Sequence, residues 1–192
     1  MLRPVRLVAE SAGSFWTIAP STGSLLRHEE TPRASLLDRR PPLVTEALSF
    51  VEQPFACRSL SPAPIVDVEQ SASWALQKMH ARLRRIGNQR FLLSYLYAGI
   101  ARPMFATTRE AMAAVAALPD QRAERTSLCL QRVLLVAKIS RSFAQHGVAF
   151  IGANLQTGDM HAWIIESGEQ PDTDDRSWIN YRPLLAIVGI AF

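Results

Sequence analysis

Cys129 and His161 are the two residues whose types and spacing favour nucleophilic catalysis. Cys129 follows Thr126 and Ser127, both common at the start of a helix, and precedes apolar residues at helical spacing. The sequence therefore predicts a helix over Leu130–Gln145 with Cys129 in its first turn. The N–H groups of a first turn lack intrahelical partners, so they favour a thiolate and can donate to the oxyanion of a tetrahedral intermediate.

His161 is predicted to lie on the second strand of a hairpin. Val148–Ala153 is an apolar run typical of a buried strand, residues 156–159 (QTGD) predict a turn, and Met160–Glu166 predicts the return strand. Because side chains alternate along a strand, His161 and Trp163 are expected on the same face. An imidazole in this position is suited to act as the general base for a cysteine nucleophile, and an imidazolium beside it would lower the pKa of the thiol.

The same segments resemble the B protein of lasso-peptide biosynthesis, a leader peptidase of the transglutaminase-like cysteine protease superfamily. The matching motifs are Cys129-Leu130 with Arg132-Val133-Leu134 behind them, then Gly147-Val148, and finally His161-Ala162-Trp163. The distance from the cysteine to the histidine also suits that family. The resemblance covers residues 126–163 and extends in weaker form to residue 185.

The resemblance implies a Cys-His-Asp triad. In such a triad Cys129 attacks the scissile carbonyl, His161 acts first as base and then as acid, and an aspartate orients His161. The family usually places the aspartate at the end of a strand shortly after the hairpin, often as Asn-Asp. This chain has PDTDD there instead, so Asp172 is the candidate, with Asp174 and Asp175 as alternatives.

The resemblance also implies an α+β fold, in which helices of a transglutaminase-like or papain-like cysteine protease domain pack on an antiparallel sheet. The run SLSPAP at residues 59–64 predicts a boundary between a small β-rich N-terminal module, residues 1–65, and a protease domain, residues 66–192. Many members of the family bind the precursor's leader by strand addition to a module in this position. Residues 1–65 are therefore a candidate leader-binding module, and the alternative is a purely structural lobe.

Further helices and one further strand are predicted around these segments. Apolar periodicity and flanking breakers predict helices over Leu43–Val51, Val68–Ile86, Phe91–Ile100 and Arg109–Leu118. The apolar segment Tyr181–Phe192 predicts a last strand or core tail. Helices of this kind would supply the helical layer that packs against the strand of the histidine.

Composition excludes several other classes of function. The 192 residues carry a net charge of +4 and are 48% hydrophobic, and no apolar run approaches the length of a membrane span. Two cysteines provide no disulfide framework, and Cys57 has no histidine close to it in sequence. The basic run at residues 82–85 is interpreted as a solvated helix face rather than a nucleic-acid site. A bacterial cytoplasm is the expected location.

The expected function is a cysteine protease that removes the leader from a ribosomally made lasso-peptide precursor. An asparagine-synthetase-like partner cyclase then forms the macrolactam. The chain has no Walker loop, no dinucleotide fingerprint and only scattered histidines, so no cofactor or metal site is expected, although the resemblance implies ATP consumption. Two alternatives remain: a transglutaminase-type acyltransferase, and a noncatalytic peptide-binding scaffold.

Overall fold

The computed structural model describes residues 2–19, 23–32, 40–52, 58–59, 75–81, 103–118, 128–167, 169–170 and 176–189. These residues form a mixed α+β arrangement of helices and largely antiparallel sheet. The strands are β1 Leu2–Arg6, β2 Ala9–Ser11, β3 Ser14–Ala19, β4 Ser24–His28, β5 Arg58–Ser59, β6 Gly147–Ala153, β7 Met160–Glu166, β8 Glu169–Gln170 and β9 Arg182–Gly189. The helices are α1 Pro42–Glu52, α2 at residues 75–81, α3 Thr108–Ala116, α4 Leu128–Ile139 and α5 Arg141–His146, with a 3-10 helix at Arg176–Asn180.

The main sheet has six strands in the order β1-β9-β6-β7-β8-β5. Neighbouring strands in this sheet run antiparallel, except for the short β5 and β8, which run parallel to each other. Strand β6 is buried at every residue because it pairs with β9 on one side and β7 on the other, and both of its faces are covered. The hairpin of β6 and β7 is confirmed, with Gly152 paired to His161.

Two hydrophobic cores lie on opposite faces of this sheet. On the first face, helices α3, α4 and α5 cover alternate strand residues that include Ile151, Ala162 and Ile164. On the second face, α1 covers the intervening residues, which include Phe150 and Trp163. The helix that carries Cys129 therefore packs on the face of Ala162, while His161 has the same strand parity as Trp163.

The N-terminal strands are part of this packing. Strand β1 forms one edge of the main sheet, where Val5 pairs with Ala186 of β9. Strands β2, β3 and β4 form a separate antiparallel sheet, from which Ile18 enters the first core. Residues on both sides of the expected boundary at residue 65 thus share one sheet and both cores.

The helix expected over Leu130–Gln145 is two helices, so that prediction was wrong in its extent. Helix α4 ends at Ile139, and Ser140 begins α5 by accepting a hydrogen bond from the Phe143 N–H at 3.1 Å. The break is stabilised by a distant segment, since the N–H of Phe105 donates to the Ile139 carbonyl at 3.0 Å. A helical pattern alone carries no information about such a partner.

The other predicted elements fall into two groups. The helix at Pro42–Glu52 confirms the one predicted over Leu43–Val51, and α3 confirms the one predicted from Arg109, with Thr107 as its cap. The predicted last strand is β9, which lies inside the sheet between β1 and β6. Of the helix predicted over Val68–Ile86, residues 75–81 are helical and the rest lies outside the described residues. The helix predicted over Phe91–Ile100 also lies outside them, as does Cys57.

Across the ranges given above, no helix has both the length and the apolar character needed to cross a membrane.

Candidate active site

Cys129 is the second residue of α4 and is half-buried beside the first core. Its caps predicted from sequence, Thr126 and Ser127, lie outside the described residues. The backbone N–H groups of Ala162 on β7, of Leu130 and of Cys129 itself lie close enough to lower the pKa of its thiol. The start of the helix therefore contacts the hairpin strand at the residue next to His161.

The thiol of Cys129 is harder to ionise than an ordinary thiol. Burial raises its pKa, and the hydrogen bonds from Ala162, Leu130 and Cys129 itself, together with the charge of Arg132, lower it by less than burial raises it. The expectation of a thiol that favours the thiolate was therefore wrong in its net direction. The first-turn amides lower the pKa as predicted, but desolvation raises it by more. At neutral pH the resting group is therefore the neutral thiol.

The Ala162 contact places the thiol relative to the sheet. Because Ala162 affects the pKa of Cys129, and Cys129 packs against the core that contains Ala162, the start of α4 contacts the start of β7. The described pairing of β7 with β8 is at Glu166, near the other end of β7.

His161 is the second residue of β7 and is half-buried. Its ring stacks on Trp163, with 6.1 Å between centroids and 14° between planes. The ring of Tyr181 lies on it at 5.1 Å and 36°. Tyr181 comes from the segment between the 3-10 helix and β9, which sequence reasoning treated only as the start of an apolar tail.

The thiol and the imidazole belong to neighbouring positions at one end of β7. Helix α4 packs on the Ala162 face, and the imidazole lies on the Trp163 face, so the two groups lie on opposite faces of β7.

The third member of the expected triad is not placed. Asp172, Asp174 and Asp175 all lie outside the described residues. In the described part of the chain, no cluster of three or more His, Cys, Asp or Glu side chains is arranged to hold a metal ion.

Gly152 is a site residue that sequence reasoning missed. A Cβ atom at this position would lie 2.5 Å from the carbonyl oxygen of Arg182 and 2.8 Å from Cη2 of Trp163. Gly152 is also the cross-strand partner of His161. The absence of a side chain is therefore what lets the indole of Trp163 lie close to β6 beneath the imidazole, and a glycine inside an apolar strand was the available signal.

Comparison of the chain with protein-family models, with curated proteins and with solved structures finds no match. The resemblance to the lasso-peptide B protein therefore depends on the motifs quoted above.

Proposed function

We propose that this protein is a cysteine peptidase that removes the leader from a ribosomally made lasso-peptide precursor. One observation carries the proposal: the start of α4 brings Cys129 against β7 at Ala162, the residue next to His161. The chemistry needs a nucleophile, a base and oxyanion donors, and Cys129, His161 and the first-turn N–H groups would supply them.

In the proposed reaction the raised thiol pKa sets the order of events. Because the resting sulfur is neutral, His161 removes its proton as the sulfur attacks the scissile carbonyl. The first-turn N–H groups of Cys129 and Leu130 donate to the oxyanion that forms. His161 then protonates the departing amine, and water releases the leader from the thioester.

An aspartate orients His161 in this scheme and stabilises the imidazolium. By resemblance, Asp172 takes this role, with Asp174 and Asp175 as the alternatives. In sequence they follow His161 by 11, 13 and 14 residues, beyond β7 and β8. Single substitutions to Asn at the three positions will assign the role, since only the orienting carboxylate should lower kcat sharply on removal.

The partners in the proposal are the precursor's leader and an asparagine-synthetase-like cyclase. The freed N-terminus of the core peptide passes to the cyclase, which joins it to an Asp or Glu side chain. The leader would bind to the N-terminal strands, where β4 is an edge strand of its sheet within the described residues.

The proposal is tested by mass spectrometry of the precursor encoded beside this chain, incubated with the protein in the presence and in the absence of the cyclase. We expect cleavage at one bond by the wild type and by Cys57→Ala, a matched control at the other cysteine. We expect no cleavage by Cys129→Ala or by His161→Ala. Cleavage that survives Cys129→Ala contradicts the proposal, and a product that gains the mass of an added amine without a released leader indicates an acyltransferase.

A further inference from the structure

The imidazole of His161 contacts two aromatic rings that come from separate parts of the chain. Trp163, on the same strand, stacks on it at 6.1 Å with 14° between the planes. Tyr181, which follows the 3-10 helix, lies at 5.1 Å and 36°. We call His161, Trp163 and Tyr181 the aromatic bracket.

Both flanking residues of the aromatic bracket contact Trp178. The indoles of Trp163 and Trp178 stack at 6.2 Å and 20°, and Trp178 is only 1% exposed. The backbone N–H of Tyr181 donates to the backbone carbonyl of Trp178 at 2.9 Å. Trp178 thus supports the Trp163 ring through its side chain and the Tyr181 backbone through its carbonyl.

We infer that Tyr181 is a positioning residue for His161. With Trp163, it holds the imidazole in one orientation on the face of β7, at the residue next to Ala162, which the start of α4 contacts. The inference rests on the proposed function, because positioning affects rate only if His161 is the base that accepts the proton of the thiol.

The physical reason is the freedom of an unrestrained imidazole. Rotation about the second side-chain torsion of histidine is broad, so a half-exposed ring samples many orientations. A general base acts only within hydrogen-bond reach of the proton it removes. A displacement of about 1 Å can reduce the rate by about 100-fold, so a ring that fixes the base contributes to kcat without touching the substrate.

The test compares Tyr181→Phe and Tyr181→Leu with the wild type. Phe keeps the ring and removes the hydroxyl, whereas Leu keeps apolar volume and removes the ring. Ile179→Ala is the matched control, because Ile179 lies on the 3-10 helix directly before Tyr181 and is 46% exposed. With the precursor as substrate, we expect Tyr181→Leu to lower kcat by about 10- to 100-fold. KM should stay within about twofold, since Tyr181 positions His161 and binds no substrate in this inference. Tyr181→Phe and Ile179→Ala should stay near the wild type.

A second readout does not depend on peptidase activity. The ring-nitrogen NMR signals of His161, assigned by comparison with His161→Ala, report its tautomer and its exchange between orientations. We expect one tautomer with sharp signals in the wild type and in Tyr181→Phe, and averaged or broadened signals in Tyr181→Leu. If Tyr181→Leu does not fold, Tyr181→Met removes the ring with an unbranched side chain and takes its place.

The outcomes separate this inference from the proposed function. A wild-type protein that cleaves nothing refutes the peptidase, and the ring-nitrogen signals still decide whether Tyr181 positions His161. Unchanged signals in the ring-deleted variant overturn the inference. An equal loss of kcat in Tyr181→Phe and Tyr181→Leu also overturns it, because the loss would then come from the hydroxyl.

Discussion

Replacing Gly152 by alanine should destabilise the protein and disturb the surroundings of His161 at the same time. The new Cβ would lie 2.5 Å from the Arg182 carbonyl oxygen and 2.8 Å from Cη2 of Trp163. Favourable contact between such atoms begins near about 3.5 Å, so the overlaps are roughly 1 Å and 0.7 Å. The carbonyl belongs to β9, which is paired to β6 at this point, and it therefore has little room to move.

The magnitude follows from the nature of these neighbours. Adding a methyl group to a packed interior usually costs about 1–3 kcal/mol, and a backbone neighbour favours the upper end. We expect the free energy of unfolding to fall by about 3 kcal/mol. For a chain of this size, that corresponds to a loss of roughly 6–12 °C in Tm.

Urea and thermal unfolding measure the effect, with Gly158→Ala as control. Gly158 has φ +79° but nothing within 4 Å of an added Cβ, so this control carries backbone strain without a clash. The double variant Gly152→Ala, Trp163→Phe removes the indole atom that clashes and should recover part of the loss, but not all, because the Arg182 carbonyl remains. A Gly152→Ala variant within about 0.5 kcal/mol of the wild type would refute the close approach of these strands.

Three further predictions concern stability. First, the pKa of Cys129 is higher in the folded protein than in the unfolded chain. The free energy of unfolding should therefore fall as the pH rises from the ordinary thiol pKa through the folded value. Cys129→Ser should abolish this pH dependence in urea titrations. Second, Ser140→Ala should cost about 2 kcal/mol, because it removes the cap of α5 and the 2.9 Å partner of the buried Thr108 hydroxyl; a loss no larger than that of the exposed Ser49→Ala would contradict it. Third, Thr107→Ala should cost about 1 kcal/mol through loss of the capping box with Glu110, and unchanged helix content and Tm would refute that role.

The parts of the fold that sequence reasoning captured are governed by local patterns. The apolar run of β6, the turn after it and the alternation of β7 lie within twenty residues, and they are sufficient to specify a hairpin that presents His161. The capping box at Thr107 is equally local, since both of its hydrogen bonds join residues three apart.

The parts that were missed depend on residues far apart in sequence. The break at Ser140 depends on the backbone of Phe105, thirty-five positions earlier. The aromatic bracket depends on the contact of Tyr181 with His161, twenty positions earlier in the sequence, and on the space that Gly152 leaves for Trp163. The pKa of Cys129 was assigned the wrong direction because the helix start is visible in a sequence, whereas the extent of burial around it is not.

The most direct test of the proposed peptidase is to detect the covalent intermediate on Cys129. The protein, in excess over its precursor peptide, is quenched in acid at short times, and the intact masses are measured before proteolytic mapping. We expect a transient adduct with the mass of the leader less water, located on Cys129 and absent from Cys129→Ala. Precursor cleavage at the same rate by Cys129→Ala, or an adduct located on another residue, would contradict the central claim.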